Sequence, residues 1–383
     1  MKIKLKKKRV SIPLPFTQLG YFLIICAAVM RAMQFHVQTG DNMDLLRHFS
    51  MMKLIKYSGY SLYEYVFLYG DAFTSNISMR FCYAFNFVVY LAAKYLKNYY
   101  HLAWAFVFFD YLIISYIGFD WWKNQGGRKG IMFLYEILIC FSLLPFFQTV
   151  SGLRTAMAAC IMGLSIYLYL CKNKSLWTFL FVMAIGTMFH PAFITAAPFV
   201  VLAKKMDRKK ALMIVFIASA SVALIANLLI RSSNRFLYSI AFKYLQYTGE
   251  DGYRSTRFCY YGVIVICILT LTNYFYALFW KKKHTQTALI TFDGKNDGAF
   301  MTVYDFIAYY MIYILSNIGK YEMVLRPAYL LGAMAPMVTG MVFNVRGKNR
   351  KRDVITNAIL LMLLVIVSYV SFMYLQWHSE YFA

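Results

Sequence analysis

Apolar runs of about twenty residues recur along this chain, and short basic clusters close them. The clusters are KIKLKKKR at 2–9, CKNK at 171–174, AKKMDRKK at 203–210, KKKH at 281–284 and RGKNRKR at 346–352. Each run is close to the length that crosses a bilayer as a helix, and basic residues gather at the cytoplasmic ends of such helices. The alternation therefore implies an all-α polytopic membrane protein. Of the 383 residues, 61% are hydrophobic and only 15% charged, well below the roughly one quarter charged in soluble domains. The net charge of +24 sits in those end clusters, so it marks orientation toward anionic lipid and not a nucleic-acid surface. No linker or fixed-period repeat divides residues 1–383, which read as a single integral membrane domain behind a basic tail at 1–15. The basic N-terminus resembles the start of a signal sequence, but Arg31 interrupts the next run and no small-residue cleavage site follows, so 16–33 reads as a retained helix.

Several chemistries have no support. The seven cysteines lie in or beside apolar runs without metal-type or disulfide-framework spacing, and the histidines do not cluster, so no metal and no cofactor is expected. Phosphate-binding glycine loops, dinucleotide fingerprints and the nucleophile elbow are absent from the sequence.

The clusters order the C-terminal half. With 346–352 cytoplasmic, 354–376 runs outward, 325–343 runs inward from Arg326-Pro327, and 299–318 runs outward. Helix 258–280 then runs inward, placing 231–257 at the outer face, and 211–230 runs outward. The run 175–203 has lysine at both ends, is too short for two ordinary crossings and is long for one. A pair of short helices turning at FHPA (189–192) fits, because proline disfavours helix before it and tolerates a new start after it. His190 then lies at the outer turn, recessed below the surface; the rival is one kinked helix with His190 buried. Helix 154–171 starts at the outer face at Arg154, with Ser151 or Gly152 as its cap. A guanidinium beside free helix N–H groups suits a bound phosphate, and a snorkelling arginine at the interface is the alternative.

The N-terminal third is less regular. Helix 16–33 leads outward to a polar stretch at 34–78, and apolar segments follow at 79–97, 101–119 and 131–150. Three plain crossings would place KNQGGRKG (123–130) outside, which conflicts with Arg154 outside. Either 54–73 crosses as well, or one of 79–97 and 101–119 is re-entrant, or Arg154 is not at the outer face; the cytoplasmic character of GGRKG favours one of the first two. The total is about 11–12 transmembrane or re-entrant helices.

The residues resemble the EpsG family of exopolysaccharide polymerases, similar in role to Wzy-type polymerases of O-antigen and capsule. The resemblance is carried by acidic residues and SLYEY (61–65) in the first outer loop, SGLRTAMA (151–158), MFHPAFI (188–194) and RPAYLLGAMAP (326–336). Where the family shows Arg-Gln, this chain has Arg154-Thr155. The resemblance implies a GT-C-like, all-helical glycosyltransferase of the bacterial cytoplasmic membrane with its site facing the periplasm or cell exterior. Its substrates would be oligosaccharide repeat units on undecaprenyl pyrophosphate, as donor and acceptor, with membrane lipid around them and a chain-length regulator as a further candidate partner. A sugar hydroxyl would attack the anomeric carbon of the lipid-linked donor, without a nucleotide sugar.

Such a reaction develops negative charge on the leaving pyrophosphate, for which Arg154 and Arg326 are the candidate stabilisers. His190 is the candidate to accept the hydroxyl proton or to bind pyrophosphate, two roles the sequence leaves open. Asp41 and Asp44 are candidate sugar ligands or bases. Arg231, Arg235, Arg254 and Arg257 are candidate substrate-binding residues in a loop whose five cations and two acids leave it at +3. Two other classes stay in view: a membrane acyltransferase modifying an envelope glycan, and a transporter or flippase for lipid-linked oligosaccharide. The latter favours internal pseudo-repeats, and none is evident.

Overall fold

The computed structural model describes residues 14–37, 44–69, 82–124, 130–234, 237–238, 241–242, 245, 257–281, 297–343 and 350–373. Among these the chain is helical throughout: α1 (Leu14–Met33), α2 (Asp44–Ser58), α3 (Tyr83–Tyr95), α4 (Tyr100–Asn124), α5 (Gly130–Leu143), α6 (Phe146–Val150), α7 (Leu153–Leu170), α8 (Leu176–Phe189), α9 (Ala197–Lys205), α10 (Arg208–Leu229), α11 (Arg257–Lys281), α12 (Asp297–Ser316), α13 (Tyr321–Ala333), α14 (Ala335–Phe343) and α15 (Arg350–Met373). A π-helical turn at Glu64–Tyr69 and a 3-10 turn at Pro191–Ala196 join them. By length and composition, Tyr100–Trp121 and Leu153–Leu170 suffice alone to cross a membrane, and six shorter apolar helices accompany them.

Side-chain contacts set the direction of each helix. Lys172 Nζ lies 2.9 Å from Asp120 near the end of α4, and Lys204 Nζ donates to Asn173 Oδ1 at 2.7 Å. The end of α4, the α7–α8 turn and the end of α9 therefore meet at one basic end of the bundle. At the far end, Tyr100 opens α4 and its hydroxyl accepts from Val37 N just past α1. Thus α1 and α4 are antiparallel, and Tyr21 meets Phe119 between them. α5 returns beside α1, where Tyr21 donates to Glu136 at 2.9 Å.

The expected conflict in the N-terminal third resolves at α3. Its first flanking residue, Cys82, touches Arg154 at the far end, and its last leads within four residues to Tyr100 at the same end. The described part of that segment, 82–97, therefore stays at the far end, and α4 makes the crossing that brings Asn124 to the basic end. The described part of the 54–73 stretch, 54–69, does not cross, and 70–73 lie outside the described residues: α2 buries a face of Leu45, His48, Met52 and Ile55, at spacings of three and four, against this end. Tyr90 on α3 donates to Tyr60 O after α2, and Phe49 packs on Tyr100 at 4.9 Å. Together α2 and α3 cover the far end. SLYEY explains the turn beneath them: Ser61 and Glu64 exchange hydrogen bonds of 2.8 and 3.3 Å as a capping box, which also holds the Glu64 carboxyl below its ordinary range.

In the C-terminal half Arg208, at the start of α10, donates to Asp305 on α12 at 2.7 and 3.0 Å. Tyr274, late in α11, donates to the same carboxylate. Tyr260, early in α11, stacks on Tyr321 and accepts from Gly319 N between α12 and α13. So α11 descends to the basic end and α12 rises from it. α13 and α14 make one broken descent, interrupted at Met334, and α15 rises beside α5, with Ser368 donating to Leu138 O. Among the described residues the chain makes eleven passes, counting α8, the 3-10 turn with α9, and α13 with α14 as one pass each.

Candidate functional site

The 175–203 run forms the expected out-and-back pair. Ser175 caps α8 by accepting from Thr178 N at 3.2 Å, and α8 ends at Phe189. His190 has extended backbone (φ −155°, ψ 118°), as the residue before proline should, and Pro191 opens the 3-10 turn. The outward arm has 14 residues, about 21 Å of helix, so it stops short of a hydrocarbon core about 30 Å thick. His190 ends this short arm and is buried, 5% exposed.

Its tautomer is set by the turn. Nδ1 accepts the Ala192 N–H at 3.2 Å, so a neutral imidazole carries its proton on Nε2. In this conformation the ring presents a donor. Of the two roles open in the sequence, this geometry favours the ligand over the base.

α7 packs along α8 with close backbone approach at Gly186, where a Cβ would lie 3.4 to 3.5 Å from Ile161 Cγ2, Ala158 O and Met162 N. One turn further toward the far end, α8 reaches His190 and α7 reaches Arg154. Antiparallel packing of consecutive helices thus puts both residues toward the same end. Gly152 is the residue before α7 and makes no side-chain cap, so the helix start is left to other partners. Arg154 Nη1 lies 3.7 Å from Cys82 Sγ, and His48 of α2 is close enough to feel its charge. Burial pushes the Cys82 thiol up, with Arg154 opposing.

Arg326 enters from α13. The expectation had it opening a helix; the helix instead starts at Tyr321, and Arg326 lies in its second turn with Pro327 inside the helix. This earlier start lets Glu322 pair with Arg326 Nε at 2.6 Å. One turn on, Tyr329 donates to Gln148 Oε1 at 3.3 Å. Gln148 in turn fills the space beside Gly152, where a Cβ would fall 1.8 Å from its Nε2. Arg326, Tyr329, Gln148, Gly152 and Arg154 therefore form a continuous path from α13 to α7. Tyr329 lies eight residues along α13, about 12 Å from the helix start.

The remaining candidates are placed less centrally. Asp44 opens α2 in an exposed pair with Arg47 at 3.2 Å. Arg231 stands exposed just past α10, a helix that packs on α9 and α12. Asp41, Arg235 and Arg254 lie outside the described residues, as does the side chain of Arg257. Sequence reading missed four residues here. Glu322 had a usable signal, its i,i+4 spacing to Arg326. Gln148, Tyr329 and His48 had none, because each owes its position to packing between distant segments. Among the described residues no group of three His, Cys, Asp or Glu side chains could hold a metal ion.

Comparison with known proteins matches the chain to a family model described as EpsG family, over residues 19–382. No curated protein and no solved structure matches the chain.

Proposed function

The chain belongs to the EpsG family, and on that premise we propose that it polymerises oligosaccharide repeat units carried on undecaprenyl pyrophosphate. Membership makes it a polytopic membrane protein with a role in exopolysaccharide biosynthesis. The observation that supports the finer reading is that Arg154, His190 and Arg326 all lie toward the end of the bundle away from Lys172 and Lys204. If those clusters face the cytoplasm, this end opens outward, where lipid-linked repeat units are joined.

In the reaction an acceptor hydroxyl oxygen bonds to the donor's anomeric carbon as the bond from that carbon to the pyrophosphate oxygen breaks. The electron pair leaves on pyrophosphate, and the hydroxyl proton passes to solvent or a base. Negative charge on the leaving group grows along this path, so cations fixed around it favour the transition state over the bound donor. Arg154 supplies a forked guanidinium at a helix N-terminus whose N–H groups also favour an anion. His190 adds a neutral donor through Nε2–H. Arg326 is held in line by Glu322, which also tempers its charge. An acyltransferase fed from the cytoplasm would want its histidine at the basic end, and His190 lies at the other.

The test uses a deletion strain carrying Arg154→Ala or His190→Ala at wild-type membrane levels. Polymer should disappear while single lipid-linked repeat units accumulate. Normal polymer from both variants would remove the site. Orientation is tested separately with Ser233→Cys and Lys174→Cys in a background lacking the native cysteines. An impermeant thiol reagent should reach position 233 in intact cells and position 174 only after permeabilisation; the reverse would turn the site toward the cytoplasm.

A further inference from the structure

His48 belongs to none of the motifs above, yet it lies within reach of the Arg154 charge. It is 6% exposed, and its Nδ1 is buried without a hydrogen-bond partner. Its ring meets the Phe85 ring of α3 edge-on at 4.8 Å. The charged and titratable groups that act on it are Arg154 from α7, and Asp44 and Arg47 from its own helix. Cys82, at the start of α3, lies beside that same guanidinium, and Tyr99 and Tyr100 before and at the start of α4 pack on the neighbouring Phe49. Burial first, and then the charge of Arg154, hold the imidazole neutral against the pull of Asp44.

A buried ring nitrogen without a partner, beside a cation, is poorly satisfied as it stands. An anion seated on Arg154 changes every sign. It offsets the guanidinium charge, supplies acceptor oxygens and favours the protonated ring, whose two N–H groups are both donors. We propose that His48 is a proton-linked ligand of the pyrophosphate group: it takes up a proton as the anion binds at Arg154 and donates an N–H to a phosphate oxygen. The inference rests on the assignment of Arg154 to pyrophosphate. Proton uptake accompanies binding, and the same proton is returned when the lipid pyrophosphate departs. His48 thereby supplies a positive charge that exists only while the anion is present.

The experiment is titration calorimetry of the purified full chain in detergent with inorganic pyrophosphate, near neutral pH, in two buffers of different ionisation enthalpy. Wild type should take up close to one more proton per bound anion than His48→Gln, with His48→Asn as a second variant; the ligand's own protonation cancels in the difference. Equal uptake by wild type and both variants would overturn the inference while leaving the role of Arg154 standing. Binding undiminished in Arg154→Ala, or no binding by wild type, would overturn the underlying assignment and the inference with it. A measurement on wild type alone covers the case of variants that fail to fold. Its affinity, corrected for ligand ionisation, should fall between about pH 5.5 and 8, by up to tenfold per unit; a flat corrected profile would overturn the proposal.

Discussion

Gly332 is where the position of Arg326 is decided, and replacing it with alanine tests that directly. A Cβ at 332 would lie 2.6 Å from Leu144 Cβ, 2.7 Å from Leu144 N and 3.0 Å from Leu143 C, at the joint between α5 and α6. Two of the three atoms are backbone, so no rotamer relieves the contact. Ordinary carbon contact lies near 3.6 Å, and α13 would have to move away by about 1 Å. On its other side it meets α7, where a Cβ added at Gly163 would lie only 3.2 Å from Ala333 Cβ, so the two helices are already close there. Overpacking of this kind costs about 1–3 kcal/mol, or roughly 2–10 °C of melting temperature. Because α13 carries Arg326 and Tyr329, the same shift should misplace them and slow polymerisation by roughly tenfold to a hundredfold. The assays are thermal unfolding in detergent and the gel ladder of polymer lengths, with Gly332→Ala compared to wild type at matched expression. Leu144→Ala should not rescue the variant, since alanine keeps both the Cβ and the backbone that clash. Wild-type melting and wild-type ladders from Gly332→Ala, or full rescue by Leu144→Ala, would refute the close-approach argument.

Arg154→Lys should polymerise poorly in the same ladder assay, because an ammonium does not reproduce bidentate phosphate binding; wild-type ladders would mean that charge alone suffices. Gly152→Ala should leave the melting temperature within a few degrees yet reduce polymer, since the new Cβ displaces the Gln148 amide that receives Tyr329. Unchanged polymer would detach Gln148 from the site. Asp305→Ala should lower stability by roughly 2–4 kcal/mol, somewhat under the fully buried range because Arg208 is a third exposed. Its polymer length at low temperature should stay normal, since the pair lies toward the basic end. The fold should also weaken in acid. His48 is depressed from 6.5 to about 4, so the unfolded chain binds more protons between those values. Stability is present above 6.5 and falls as pH drops toward 4, by roughly 3 kcal/mol at most. His48→Phe should flatten that part of the melting-versus-pH curve.

Much of this arrangement could be read from the chain because charge and proline act locally. Lysines on both sides of 175–203, with Pro191 between, left a short hairpin as the economical solution, and Lys204 does meet Asn173 beside Lys174. The order of helices after Arg208 followed from the same alternation of charge. The α3 segment was opaque for a physical reason. Its Phe85, Val89 and Ala93 are as apolar as those of a crossing helix, but they face a cover and not a bilayer pass. Hydropathy reports transfer from water and does not say into what. The joints at Pro145 and Met334, which place Gln148 and let α13 begin at Tyr321, depend on how α5, α7 and α13 crowd one another. Pairs such as Tyr329 with Gln148, separated by 181 residues, carry no periodic trace in either segment.

The shortness of the α8 arm has a consequence for which molecules can be used at all. With His190 buried at the end of a fourteen-residue arm, a visitor from open water would have to shed hydration before reaching it. The proposed substrate, a head group hanging from a long isoprenoid, would arrive sideways with its tail never leaving the oil. Depth alone would then sort tethered sugars from free ones, before any side chain has recognised a single hydroxyl.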